Sequence, residues 1–415
     1  MRIVIIGGGP AGVEAARAAA PHATVTLVAD GVPGAWGPLA GRVWLAAAVA
    51  GERNLEAIGE RVARASAGWQ ARCAADLAAL DVTPLPGRGQ LDGPGAVLVK
   101  SLDGEQVRLE ADAVIIAAGA TLTLPPELAP DGERILAAEE LGKLQSLPAS
   151  ALVVGDGTIG FELCHTLSLL GSAVTWLVPE ATPHSGTAPE VDGYLTRLLE
   201  RQGVHVAPHS RVTRLAARLE GVSAVTVNGE RHGAEVAFLA FGRRPDHRAV
   251  GLPAEQAATD VYGQTKLHGV YLVGDALAPV AASVAMAQAR AAALHAVRRS
   301  SEPADIDGIV LAFMEGPQAA KIGRLTTEGA AGSVTVALAD SLAAHVMDAT
   351  EGFLTLAWDY GGRVAGAVAV APRAAEILAP LAVARRARLR LEDLAAIYGP
   401  YPAVSELAAI AARQV

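Results

Sequence analysis

The chain has 415 residues, 51% of them hydrophobic, with 44 glycines and 24 prolines, which excludes a disordered chain and suits a loop-punctuated α/β protein of about two to four domains. Its net charge of −9 excludes the basic footprint of a nucleic-acid binder. No apolar run reaches the roughly 18 residues that span a bilayer, and no signal-peptide pattern opens the chain. The two cysteines, Cys73 and Cys164, make neither a disulfide framework nor a CxxC pair, so a cytoplasmic location is expected.

In chain order, Met1–Ile6 is an apolar, β-branched run of the kind that forms a buried parallel strand. It enters Gly7-Gly8-Gly9-Pro10-Ala11-Gly12, and the pattern then predicts a helix over Val13–Ala20 and a second strand over Ala23–Ala29. Each glycine has a physical role: Gly7 for a tight turn, Gly9 for close backbone approach to a pyrophosphate, Gly12 for helix–strand packing. The phosphates would lie at the positive end of the helix, over the turn through Pro10 and Ala11. Asp30 follows Gly12 by 18 positions, near the spacing of about 20 at which an acid bonds ribose hydroxyls. Strand, helix, strand and acid together predict a dinucleotide site.

The pattern then recurs. Ala151–Val154 reads as a strand, Gly155-Asp156-Gly157-Thr158-Ile159-Gly160 as a second fingerprint, Phe161–Leu170 as its helix and Ala173–Val178 as the next strand. The acid is missing at the equivalent position, which is Val178, with Glu180 two residues later, and no arginine follows closely to accept a 2′-phosphate. The choice between NADH and NADPH therefore stays open, and a purely structural Rossmann unit is the alternative. Two consecutive dinucleotide sites imply electron transfer between two nucleotides.

With these motifs in place the chain resembles the pyridine nucleotide–disulfide oxidoreductases, in their dihydrolipoamide dehydrogenase-like class. Asp112-Ala113-Val114-Ile115-Ile116-Ala117-Ala118-Gly119-Ala120 is similar to the segment that returns to FAD, and Phe238-Leu239-Ala240-Phe241-Gly242-Arg243-Arg244-Pro245 to the end of the nicotinamide domain. Gly269-Val270-Tyr271-Leu272-Val273-Gly274-Asp275 is similar to the second FAD motif, whose aspartate binds the ribityl chain. Residues 313–323 and the closing motif Tyr398-Gly399-Pro400-Tyr401-Pro402-Ala403-Val404-Ser405-Glu406 are similar to the interface domain. The resemblance implies an α/β fold of two Rossmann-like domains plus a C-terminal α+β dimerisation domain. FAD would be held by 1–142 and 264–300, NAD(P)H by 143–263, and a homodimer would form through 301–415. It adds Gly89, Ala118, Gly119, Asp275, Ala282 and Ser283 to the FAD site, and Gly242 to the nicotinamide site of Gly155, Gly157, Thr158, Ile159 and Gly160.

Departures from the family pattern carry as much information. Trp36 and Gly41 occupy the positions of the redox cysteines, and Leu45 that of a lysine kept near the flavin. Without a cysteine pair there is no dithiol relay, which excludes disulfide and mercuric reductase chemistry. Tyr401 replaces the family's acid–base histidine, although Glu406 remains. A phenol with a pKa of about 10 is a poor base at neutral pH but can donate a hydrogen bond.

Tyr-Pro in place of His-Pro resembles the NAD(P)H:quinone reductase branch, and the likeness runs on through Val364-Ala365-Gly366-Ala367-Val368-Ala369-Val370-Ala371-Pro372 and Ala375-Glu376-Ile377-Leu378. The resemblance places Glu162 near the nicotinamide or flavin, and Tyr401 and Glu406 at the partner subunit's flavin, with Trp36 a candidate contact for the acceptor. The expected activity is transfer of hydride from NAD(P)H to FAD and on to a small quinone-like molecule without a redox disulfide. The alternatives are a diaphorase or NADH oxidase with another or a protein acceptor, and a flavin-binding structural or sensory protein. Cys73 and Cys164 read as small buried hydrophobes. His205, His209 and His232 lack metal-ligand spacing, so no metal is expected.

Overall fold

Apolar side chains alternate across the first strand, Arg2–Ile6: Ile3 and Ile5 enter one core, Val4 and Ile6 another. A strand buried on both faces belongs in the middle of a parallel sheet, and the computed structural model, which describes residues 1–325 and 330–415, places it there. The sheet runs Val270–Leu272, Ala113–Ile116, Arg2–Ile6, Thr24–Ala29, Pro84–Pro86, all parallel. On one face the helices Pro10–Ala19 and Ala282–Ala296 meet through Ala15, Ala16, Ala19, Ala289, Ala292 and Ala293, all fully buried. Alanine at these positions permits close approach and carries little side-chain entropy cost. The other face is covered by the antiparallel sheet Arg88–Leu91, Ala96–Lys100, Gln106–Glu110, with Val97 and Val99 in the shared core.

The first compact unit comprises Met1–Leu39, Glu60–Thr123 and Gly242–Ile306. Its exit and return points lie side by side: Thr121–Leu122 pairs antiparallel with Arg243–Arg244, and Thr123 N–H donates to the Gly242 carbonyl at 2.9 Å. The stretch Leu124–Phe241 of the second unit is therefore an insertion closed by a two-strand clasp.

That second unit, Ala40–Gly59, Leu124–Phe241 and Asp307–Val415, repeats the plan. Its parallel sheet runs His205–Ala207, Ala173–Leu177, Ser150–Gly155, Val236–Ala240, Ile135–Ala137, again with a three-stranded antiparallel sheet on one face (Val212–Arg218, Gly221–Thr226, Arg231–Ala234). The unit also contains an antiparallel sheet ordered Leu311–Phe313, Gln318–Gly323, Val364–Ala371, Phe353–Trp358, Gly332–Ala337. Ala374–Arg386 and Leu407–Arg413 cover its core.

The expected domain limits at 142/143 and 263/264 lie further along the chain than these crossings. Ile135–Ala137 pairs with Val236–Ala240 in the second sheet, and Val250 and Leu252 enter the core of Val4 and Ile6 in the first unit. Residues 40–59, expected with the first domain, fold with the second unit.

The alanine contact between the two helices gives a direct test. Ala16→Val adds two carbons to a fully buried contact and is expected to cost about 1–3 kcal/mol, read as a lower denaturant midpoint at unchanged m-value.

Candidate nucleotide sites and the Glu162 cluster

In the first unit, strand register brings the site residues to one edge. Ile6 pairs with Val28 and Ile116, and Ile116 with Leu272, so Gly7, Asp30, Ala118, Gly119 and Asp275 all follow strand ends on the carboxyl side of the sheet, where doubly wound folds bind ligands. Gly7 has φ +114°, and a Cβ there would stand 2.3 Å from the Ala117 carbonyl oxygen, which no side chain tolerates. Gly12 is equally constrained, its would-be Cβ lying 1.8 Å from the Gly7 carbonyl oxygen. Its tightest packing is therefore against the turn itself rather than the strand, where Leu27 is 3.6 Å away.

Gly9, by contrast, faces open space, with its nearest neighbour 3.9 Å away. Helical hydrogen bonding starts with Val13 N–H to the Gly9 carbonyl, which leaves the first-turn N–H groups of the helix to an anion. Two carboxylates flank this turn along the sheet edge. Asp30 is 60% exposed beside Arg88 at 3.3 Å, and Asp275 accepts Val280 N–H at 2.9 Å. Gly119, at φ +76°, has nothing within 4 Å of a would-be Cβ, and Ala282 and Ser283 open the helix Ala282–Ala296. Anion-binding amides, a hole over Gly9 and two carboxylates on one edge fit a flavin dinucleotide. Gly89 sits differently, with a would-be Cβ 3.1 Å from the Ile6 side chain.

The second fingerprint repeats this geometry in the second unit. Gly155 has φ +117° and a would-be Cβ 2.3 Å from the Ala240 carbonyl oxygen, while Gly157 at φ +82° has open space. Gly160 packs on Trp176, whose ring would lie 2.7 Å from an added Cβ and whose Nε1–H donates to the Gly155 carbonyl at 2.9 Å. Thr158 and Ile159 lie in the first turn of the helix Gly157–Leu170. The intervening Asp156 accepts the His184 backbone N–H at 3.0 Å, which fixes the loop beyond the second strand against the fingerprint turn. Val178 is buried. Glu180 is exposed, with Arg211 Nη2 at 3.9 Å, an arginine brought beside it by folding and invisible to a search of the residues that follow. Gly242, expected at this site, lies in the first unit at the clasp.

Glu162, one turn into the second fingerprint helix, joins three stretches of chain. Its Oε1 lies 2.6 Å from Arg42 Nη1 and accepts Met314 N–H at 2.8 Å. Burial pushes its carboxyl above the ordinary range, opposed by Arg42, the Met314 N–H and His165. His165, fully buried one turn on, sits 2.9 Å from both the Glu315 carbonyl and the Gln202 side-chain oxygen. Nothing in the sequence pointed to Arg42, because it lies 120 positions before Glu162.

The remaining candidates separate in space. Trp36 is half-buried in the turn before the helix Leu39–Val49, whereas Trp44 and Leu45 are both 2% exposed core residues of that helix. Gly41 is exposed. Tyr401 is 72% exposed. Glu406 precedes the last helix, Leu407–Arg413, and accepts the Ser341 hydroxyl at 2.7 Å. Cys73 and Cys164 are free and buried, one in each unit, and burial raises both thiol pKa values, that of Cys164 well above the ordinary range. Among the described residues no His, Cys, Asp and Glu cluster could hold a metal, and no helix is long and apolar enough to cross a membrane.

Residues 1–293 match the model of the pyridine nucleotide-disulphide oxidoreductase family, and residues 317–412 match its dimerisation domain. The chain is 30% identical over 468 aligned residues to an "NAD(P)H dehydrogenase (quinone)" of Mycobacterium tuberculosis (strain ATCC 25618 / H37Rv), covering 100% of this chain and 94% of that one. It is 29% identical to "Dihydrolipoyl dehydrogenase 3" of Pseudomonas putida, covering 80% of this chain and 75% of that one. The crystal structure of LpdA from Mycobacterium tuberculosis superposes with a TM-score of 0.94 at 28% identity, covering 100% of this chain and 99% of that one.

The burial of both cysteines makes them inert in the native state. Neither is expected to react with a thiol-specific disulfide reagent until the protein is unfolded, when both should titrate; fast reaction of either native thiol would contradict the burial.

Proposed function

The chain belongs to the pyridine nucleotide–disulphide oxidoreductase family, whose members use FAD and NAD(P)H, and from that premise we propose that this flavoprotein oxidoreductase passes electrons on to a quinone-like acceptor without a thiol pair. The carrying observation is the pairing of two intact fingerprint turns with Trp36 and Gly41 at the positions the resemblance gives to the redox cysteines. The relative whose printed name is a quinone dehydrogenase supports the acceptor class.

When bound, FAD supplies the hydride-accepting and electron-donating chemistry. The chain's residues bind and position. Gly7, Gly9 and Gly12 open the first helix N-terminus to the flavin nucleotide's pyrophosphate, Asp30 takes ribose hydroxyls, and Asp275 and the amides of Ala282 and Ser283 hold the remainder. Gly155, Gly157 and Gly160 do the same for the nicotinamide nucleotide, with the amides of Thr158 and Ile159 on its phosphates. Glu162 fixes the nicotinamide end of that site. Trp36 lines the space left by the absent disulfide, where a flat apolar acceptor would stack. Through its dimerisation domain the chain forms a homodimer that brings Tyr401 to the partner's site as a hydrogen-bond donor. Glu406, already bonded to Ser341, orders the motif that carries it.

Anaerobic mixing of the yellow protein with NADH or NADPH tests this reading. The flavin band should bleach rapidly with at least one nucleotide and return on adding menadione, with no long-wavelength thiolate band at any stage. Failure to bleach with either nucleotide would favour a non-catalytic flavin protein, and bleaching without reoxidation by a quinone would sink the acceptor class.

A further inference from the structure

Glu162 carries more than a fingerprint helix needs. A carboxylate with about a quarter of its side chain exposed, sharing one oxygen between a guanidinium and a backbone N–H, keeps its position only while its charge is compensated. The backbone partner, Met314, is a fully buried non-glycine residue at φ +65°, a conformation that costs free energy and persists where surrounding contacts hold it. Those contacts come from the nicotinamide helix: Glu162 accepts the Met314 N–H, and His165 reaches the next carbonyl, that of Glu315. The guanidinium of the ion pair comes from elsewhere, from Arg42 in the helix Leu39–Val49. One helical turn further along that helix stands Leu45, buried and unable to supply charge.

We propose that Arg42 is a positioning residue for hydride entry, holding Glu162 ionised and aimed at the nicotinamide end of the second nucleotide site. The inference rests on the reading of that fingerprint as the nicotinamide site. It also revises the meaning of Leu45, because the helix does carry a cation, displaced by one turn to position 42. The charged and titratable groups facing Glu162 are Arg42 from the helix Leu39–Val49 and His165 from its own helix; the turn at 314 offers a backbone N–H alone. Burial favours the protonated acid and Arg42 opposes it, so removing the cation lets Glu162 protonate at a higher pH.

The test uses the flavin-loaded wild type, Arg42→Gln and Arg42→Lys, with flavin reduction by NADH or NADPH followed anaerobically across pH. The dissociation constant of the oxidised nucleotide and the thermal midpoint are measured alongside. Arg42→Gln should slow reduction about tenfold and move the acid limb of the rate profile to higher pH, with little change in nucleotide affinity. Arg42→Lys should restore most of the rate and the original limb. A profile unchanged in Arg42→Gln overturns the proposal, as does a rate loss that follows thermal destabilisation while the limb stays in place. If Arg42→Gln does not fold, Arg42→Lys must still fold and be reduced with the wild-type limb; its loss would mark Arg42 as structural only. A wild type that neither nucleotide reduces defeats the functional reading and this inference with it. A wild type that is reduced beside an unaffected Arg42→Gln defeats only the inference.

Discussion

A carbonyl oxygen stands where a side chain would have to go, and it does so twice. The Ala117 oxygen lies 2.3 Å from a would-be Cβ on Gly7, and the Ala240 oxygen lies 2.3 Å from one on Gly155. In each unit the central strand ends against its parallel neighbour so closely that only glycine can make the turn. The turn then delivers a helix N-terminus to the carboxyl edge of the sheet. Everything that makes the molecule a carrier of two nucleotides follows from this repeated constraint. The flanking antiparallel sheets and the parallel strand orders repeat around it.

Between the second fingerprint and the dimerisation domain the governing term is electrostatic. Desolvation of the Glu162 carboxyl is offset by Arg42 and the Met314 N–H, and a neighbouring turn of the same helix fixes the next peptide through His165. A fingerprint helix held at two points to the turn entering the C-terminal sheet cannot shift without breaking both contacts, of which the one to the Glu162 carboxylate is charge-assisted and the stronger kind. The second fingerprint helix is thereby tied to the turn at residues 314–315.

The parts legible in the sequence were those written in local spacing. Both fingerprints, their strands and helices, and the burial of Cys73 and Cys164 follow from residues within about 20 positions of one another, and the structure places them as expected. What escaped was non-local. Arg42 meets Glu162 across 120 positions, Arg211 meets Glu180 across 31, and the clasp of Thr121–Leu122 with Arg243–Arg244 sets where the chain crosses between units. No periodicity announces such pairings. The surroundings of Gly89 and Gly242 are equally non-local, since a Cβ on one would meet Ile6 and the other accepts Thr123 N–H at the clasp. Ser341 likewise takes up Glu406 from 65 positions away, a partner that the closing motif does not reveal.

In the proposed function, hydride enters through two nucleotides and leaves without a dithiol store. Reductive titration of the purified flavoprotein under anaerobic conditions counts the store directly, because a redox disulfide takes up a further electron pair beyond the flavin. One hydride equivalent per bound flavin is expected to complete the reduction. Uptake of a second equivalent, with a thiolate signature at the midpoint, would contradict it.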